Sequence, residues 1–126
     1  MENYEKSILL EAQQGELDAV LMYRALAKVV KDPEDAKVFE RLASDEERHA
    51  KVFENLTGER LIPKKMKATF VPLLYHLIGK RHLYTIIAQR EYGAVRSYES
   101  VAANYRTVDD IRRDEKKHGD AVKRLL

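Results

Sequence analysis

Four apolar stripes run along this chain, and each carries a glutamate at the middle of its hydrophobic face. Within each stripe the apolar residues recur at alternating spacings of three and four, the mark of a helix with one buried side. The first, lying between about Asn3 and Lys31, reads Leu9, Ala12, Glu16, Ala19, Tyr23, Leu26, Val30. The second reads Phe39, Leu42, Glu46, His49, Phe53, Leu56. The third is Tyr84, Ile87, Glu91, Ala94, Tyr98, Val101, and the fourth Val108, Ile111, Glu115, His118, Val122, Leu125. Two stripes add a histidine one turn after the glutamate. The polar residues interrupt the face that must be buried, and the fold has to accommodate them there.

The boundaries are equally legible. Asp32 is a good N-cap and Pro33 a good first helical residue. Gly58 stands where a left-handed residue would end the second helix. Thr107 is the expected N-cap of the fourth. The two halves also repeat. QGELDAVLMY (14–23) aligns with QREYGAVRSY (89–98) at Gln, Glu, Ala, Val and Tyr. Asp45, Glu46, His49 and Leu56 align with Asp114, Glu115, His118 and Leu125. The chain reads as a duplicated helical hairpin, one domain over residues 1–126. Its long central crossover contains ATFVPLLYHLIG (68–79), expected as a short apolar helix with Pro72 in the first turn or at a kink.

Composition narrows the functional classes. Charged residues are 35% of the chain and hydrophobic residues 44%, with Gly 5 and Pro 3, the profile of a helical globular protein. The net charge of +2, with both signs interspersed, gives no basic face for nucleic acid. There is no cysteine, which removes disulfides, thiol catalysis and cysteine-ligated iron. No apolar run reaches the roughly 18 residues of a membrane span. With no signal-peptide layout at the N-terminus, a cytoplasmic location is expected.

Residues three apart on a helix share a face, so Glu46 and His49 can aim at one point, as can Glu115 and His118. Residues equidistant from a hairpin turn meet at one level. Glu16 and Glu46 lie symmetrically about Lys31, and Glu91 and Glu115 about Ala103. Packing the hairpins together would gather four carboxylates and two imidazoles in one layer. Moving a carboxylate into a low-dielectric interior costs several kcal/mol. Two divalent cations balance four carboxylates and two neutral imidazoles. Oxygen and nitrogen donors without thiolate suit iron or manganese, and zinc can intrude. Asp45 and Asp114 are candidates to hold the outer N–H of a metal-bound imidazole. Because each precedes its glutamate by about 100° around the helix, Asp45 is expected near His118 and Asp114 near His49. Tyr23 and Tyr98, two turns beyond Glu16 and Glu91, are either core residues or hydroxyl donors to those carboxylates.

Glu16 with Tyr23, Asp45-Glu46-x-x-His49, Glu91 with Tyr98, and Asp114-Glu115-x-x-His118 resemble the rubrerythrin branch of the ferritin-like superfamily, over most of the chain. The resemblance implies an all-α, ferritin-like four-helix bundle built from two duplicated hairpins with a long central crossover. It also implies two iron ions, manganese or zinc being alternatives, with Glu46 and Glu115 as bridges and Glu16 and Glu91 as terminal ligands beside the histidines. The implied activity is reduction of hydrogen peroxide or dioxygen. A further glutamate of the rubrerythrin pattern is Ala94 here, and no cysteine-rich electron-transfer domain is present. Electrons must then come from a separate donor protein. Three alternatives stand beside this reading: an iron-handling ferroxidase, a membrane-surface hydroxylase of a hydrophobic substrate, and a non-catalytic metal carrier. A stored mineral core is not expected, since the last stripe runs to Leu126.

Smaller features complete the expectations. Gly15, Gly93 and Gly119 each lie within two residues of a candidate ligand and suggest close helix approach or a local bulge at the site. Ala19 and Ala94 would leave room for a small oxidant. His76 and His82 fall outside the pattern. The apolar crossover suggests a homodimer, with membrane contact through 68–79 as the less favoured use.

Overall fold

A computed structural model describes residues 2–126; 85% of these residues are helical and none lies in a strand. The helices are α1 (Asn3–Val29), α2 (Pro33–Thr57), α3 (Met66–Ser97), a single turn α4 (Glu99–Ala102), and α5 (Arg106–Lys123). The chain divides into two compact units, one reaching to Leu73 and the other spanning Leu74–Leu126.

The first unit is the α1–α2 hairpin. Val30 N–H closes α1 on the carbonyl of Leu26 at 3.1 Å. Two residues later the Asp32 carboxylate accepts from Glu34 N–H at 2.9 Å, with Pro33 opening the new helix. This is the expected cap, and it satisfies a backbone donor that the first helical turn leaves open. Leu9, Tyr23 and Leu26 of α1 are buried together with Phe39, Leu42 and Phe53 of α2. Tyr23 and Phe39 stack with ring centroids 5.8 Å apart. Each large side chain of this kind contributes about 1.5–3 kcal/mol by leaving water. Gly58 ends α2 at φ 71°, and its N–H bonds the Glu54 carbonyl at 2.8 Å.

The segment after Gly58 is tied back to α1 by polar groups that the apolar stripes do not reveal. Gln13 Nε2 donates to the Glu59 carbonyl at 2.7 Å, and Gln13 Oε1 accepts from the Thr57 hydroxyl at 2.6 Å. Gln14 Nε2 donates to the Ile62 carbonyl at 3.0 Å, and Asp18 accepts from Lys64 N–H at 2.7 Å. Gln13, Asp18 and Thr57 are accordingly buried. Their hydrogen bonds offset the cost of removing them from water.

In the second unit, Leu83, Tyr84, Ile87, Ala88 and Glu91 form the buried face of α3, and Val108, Ile111, Glu115, His118 and Val122 that of α5. Arg112 Nε of α5 donates to the Val95 carbonyl of α3 at 2.9 Å. Gly119 lies against the Tyr92 ring so closely that a Cβ built there would stand 2.5 Å from Cε1. Of the three glycines considered above, only this one mediates a close approach. A Cβ at Gly15 meets nothing within 4 Å, and at Gly93 only the tip of Arg96 at 3.9 Å.

Three local expectations are corrected. Pro72 lies within α3, past its first turn, because the helix already begins at Met66. The break comes instead at Gly79, whose φ of 85° and ψ of 163° are open almost only to glycine. The fourth stripe opens at Arg106 with Tyr105 as N-cap, ahead of Thr107. The third stripe is interrupted at Tyr98, where α3 gives way to α4, although Tyr98 and Val101 are both buried as its periodicity requires.

Candidate metal centre

Each hairpin carries two glutamates and a histidine on its buried face. In the first unit α1 supplies Glu16, while α2 supplies Glu46 and His49 one turn apart. His49 Nδ1 lies 3.2 Å from Glu46 Oε1 and 3.6 Å from Glu16 Oε2. In the second unit α3 supplies Glu91, and α5 supplies Glu115 and His118. His118 Nδ1 lies 3.6 Å from Glu115 Oε1 and 3.7 Å from Glu91 Oε2. All six residues are at most 5% exposed. The duplicated sequence thus produces a duplicated arrangement, with the corresponding atoms of each residue type facing inward.

These are encounters between ligand-type atoms and not hydrogen bonds: none of the six named atoms takes part in one. Within each set, one ligand atom from each residue lies within 4.8 Å of the others. The donor chemistry fits a divalent cation. Two ligands each about 2.1 Å from one ion lie roughly 3.0–3.4 Å apart at octahedral or tetrahedral angles, close to the spacings of both sets. A cation would also relieve the repulsion between two buried carboxylates, which costs several kcal/mol when uncompensated. With oxygen and imidazole donors and no sulfur, iron and manganese suit the site better than a thiophilic ion.

The remaining candidates occupy varied surroundings. Tyr23 is fully buried and packs flat on Phe39, while Tyr98 is buried at the α3–α4 junction. Asp45 is half-buried, and its carboxylate takes a 2.6 Å ion pair from Arg48 one turn on. Asp114 is half-buried beside Glu115. Ala19 is buried and Ala94 half-buried. His76 and His82 are exposed, outside both sets.

Two features near the carboxylates escape a reading of stripes. Asp35 is 2% exposed on the Phe39–Leu42–Glu46 face of α2, a buried acid three turns before Glu46. Its spacing of four from Phe39 was the available signal. The other lies beside the second set, where Tyr92 follows Glu91 and Asp120 follows His118 by two. The Tyr92 hydroxyl donates to Asp120 Oδ1 at 2.5 Å, and Lys116 Nζ reaches the other oxygen at 2.9 Å. Burial, followed by the Asp120 hydrogen bond and charge, pushes the Tyr92 hydroxyl up to about 12. The same hydrogen bond, together with Lys116, holds Asp120 below the usual carboxylate range. This lock ties α3 to α5 where the ligands leave each helix.

A helical fold with a buried Glu/Glu/His set on each hairpin fits the class of proteins that hold metal through carboxylates and imidazoles. A family model described as Rubrerythrin matches residues 7–126. The chain belongs to the rubrerythrin family, a ferritin-like di-iron family, and its order of hairpin, crossover and hairpin is that of the ferritin-like fold. No curated protein and no solved structure gives a significant match. No described helix is long and apolar enough to cross a membrane.

Proposed function

We propose that the two sets of ligands join in one dinuclear iron centre that reduces hydrogen peroxide or dioxygen. The observation that carries this reading is the repeated buried Glu/Glu/His set, once per hairpin, in a chain matched by the rubrerythrin family over residues 7–126. Glu16 and His49 would hold one ion and Glu91 and His118 the other, with Glu46 and Glu115 as the residues that would be shared between them. The bound pair would supply two electrons, one from each ferrous ion, to an oxidant that accepts electrons in pairs.

The protein's part is binding, orientation and charge balance. Four carboxylates offset the four positive charges of two divalent ions, so the loaded interior is neutral. The surrounding Leu, Phe, Ile and Val side chains limit water around the carboxylates, which strengthens every electrostatic interaction there. In this reading Asp45 takes the outer N–H of His118 and Asp114 that of His49, fixing each imidazole in the ligating orientation. Tyr23 and Tyr98 offer hydroxyls toward the terminal carboxylates. Sustained turnover draws on a separate electron-donor protein, because the chain has no cysteine to hold an iron–sulfur or rubredoxin-type centre.

The test is stopped-flow mixing of the anaerobically prepared diferrous protein with each oxidant, beside a Glu91→Ala control. Oxidation at least about tenfold faster than in the control is expected, since even the loss of an outer-sphere partner commonly costs ten- to a hundredfold. Iron that binds but oxidises no faster than in the control would leave a carrier role and end the redox proposal.

A further inference from the structure

The crossover presents an apolar face that the fold leaves uncovered. On the 66–78 part of α3, Met66, Phe70, Leu73 and Leu77 follow one another at spacings of four, three and four, and so line one side of the helix. They are 70%, 56%, 53% and 79% exposed. Ile62, just ahead of the helix, is 83% exposed. Scattered exposed apolar residues need no explanation, but a continuous stripe of large ones marks an interaction surface.

Charge identifies what covers it. From residue 60 to residue 90 the chain has seven Lys and Arg and not one Asp or Glu. All 21 of its acids lie outside that stretch. Arg60, Lys64 and Lys65 precede the helix and Arg81 follows it, all of them exposed. Placing this segment against itself across a two-fold axis would bring like charges together, which argues against a second copy as the occupant. A surface of opposite charge with an apolar interior meets both demands.

We infer that the 60–81 segment docks on an anionic lipid surface. The Met66, Phe70, Leu73 and Leu77 side chains enter the boundary between headgroups and acyl chains, while the flanking cations pair with lipid phosphates. The short helix lies in the plane of the interface, as basic amphipathic helices do. Its start at Met66 and the break at Gly79 confine it to about three and a half turns, enough to bury the stripe and far too little to span.

The full-length protein should float with vesicles of phosphatidylcholine containing phosphatidylglycerol, and not with phosphatidylcholine alone. Binding should weaken as salt is raised, because exposed charges are screened. Neutralising three cations, as Lys64→Gln/Lys65→Gln/Arg81→Gln, should weaken it by roughly a hundredfold, each basic residue near such a surface contributing about fivefold. Phe70→Ser/Leu77→Ser should abolish flotation with the helical circular dichroism unchanged. The inference is overturned if anionic vesicles are not bound, if neutral vesicles are bound equally well, or if either variant binds as the parent does. It is likewise overturned if the apolar variant instead dissolves a dimer that shows no affinity for vesicles. None of these readouts involves metal, so the outcome is independent of the proposed redox reaction.

Discussion

At the scale of single residues, the ligand positions and the lock beside them make separate predictions. Glu46→Ala and Glu115→Ala each remove a proposed bridge, and each should lower bound iron below two ions per chain on metal analysis after gel filtration. Two ions retained in both variants would show that the bridges are misassigned. Gly119→Ala drives a methyl group into the Tyr92 ring, at 2.5 Å from Cε1. Overpacking of this kind costs about 1–3 kcal/mol, measurable by urea unfolding. Tyr92→Phe in the same background should recover none of that loss, because the ring itself is the obstacle. The Tyr92 hydroxyl also sets a pH dependence. It keeps its proton to about 12 in the folded chain, against 10.0 for an ordinary tyrosine. The contribution is therefore complete below pH 10 and disappears as pH rises toward 12, when the unfolded chain is the readier to lose the proton. Tyr92→Phe should flatten that alkaline fall in stability. A decline of equal steepness in the variant would count against the Tyr92–Asp120 bond as its source.

At the scale of elements, two glycines with opposite geometry give opposite expectations. Gly79 has φ 85° and ψ 163°, where a side chain is strained by about 1–3 kcal/mol, so Gly79→Ala should destabilise by that amount. Gly15 sits inside α1 with open space around its Cα, and Gly15→Ala should stabilise by about 0.5–1 kcal/mol. Denaturant midpoints of the two variants should move in opposite directions, and equal shifts would contradict the assigned break in α3. The elements also show what a sequence discloses. Helix existence, the Asp32–Pro33 start and the Gly58 stop were legible because local chemistry decides them: a cap oxygen, a fixed φ, a missing Cβ. The place of Pro72 and the opening of α5 at Arg106 were not. Helix ends depend on tertiary packing as well as local preference, and at Tyr105 an extended residue without a side-chain cap precedes the helix where the nearby Thr107 looked the better signal.

For the whole molecule, the duplication made the six candidate ligands readable, since a glutamate centred on a buried face is costly once and informative when repeated four times. What supports those faces was hidden. Gln13, Asp18 and Thr57 look like ordinary surface residues in one dimension, and their burial follows from a loop returning 46 residues later to accept and donate hydrogen bonds. Close approach at Gly119 was legible from a glycine next to a candidate ligand, but not that the Tyr92 ring, on another helix, is what approaches it. The exposed crossover stripe was visible as apolar residues, but not which of them would remain outside. In the proposed centre the two Glu/Glu/His sets together bind two metal ions. Its most direct test is anaerobic titration of the full-length protein with ferrous iron, followed by removal of free metal and determination of iron per chain. Two ions per chain are expected, falling below two when Glu16, Glu46, Glu91 or Glu115 is replaced by alanine. A protein that retains no iron, or two ions regardless of these replacements, would contradict it.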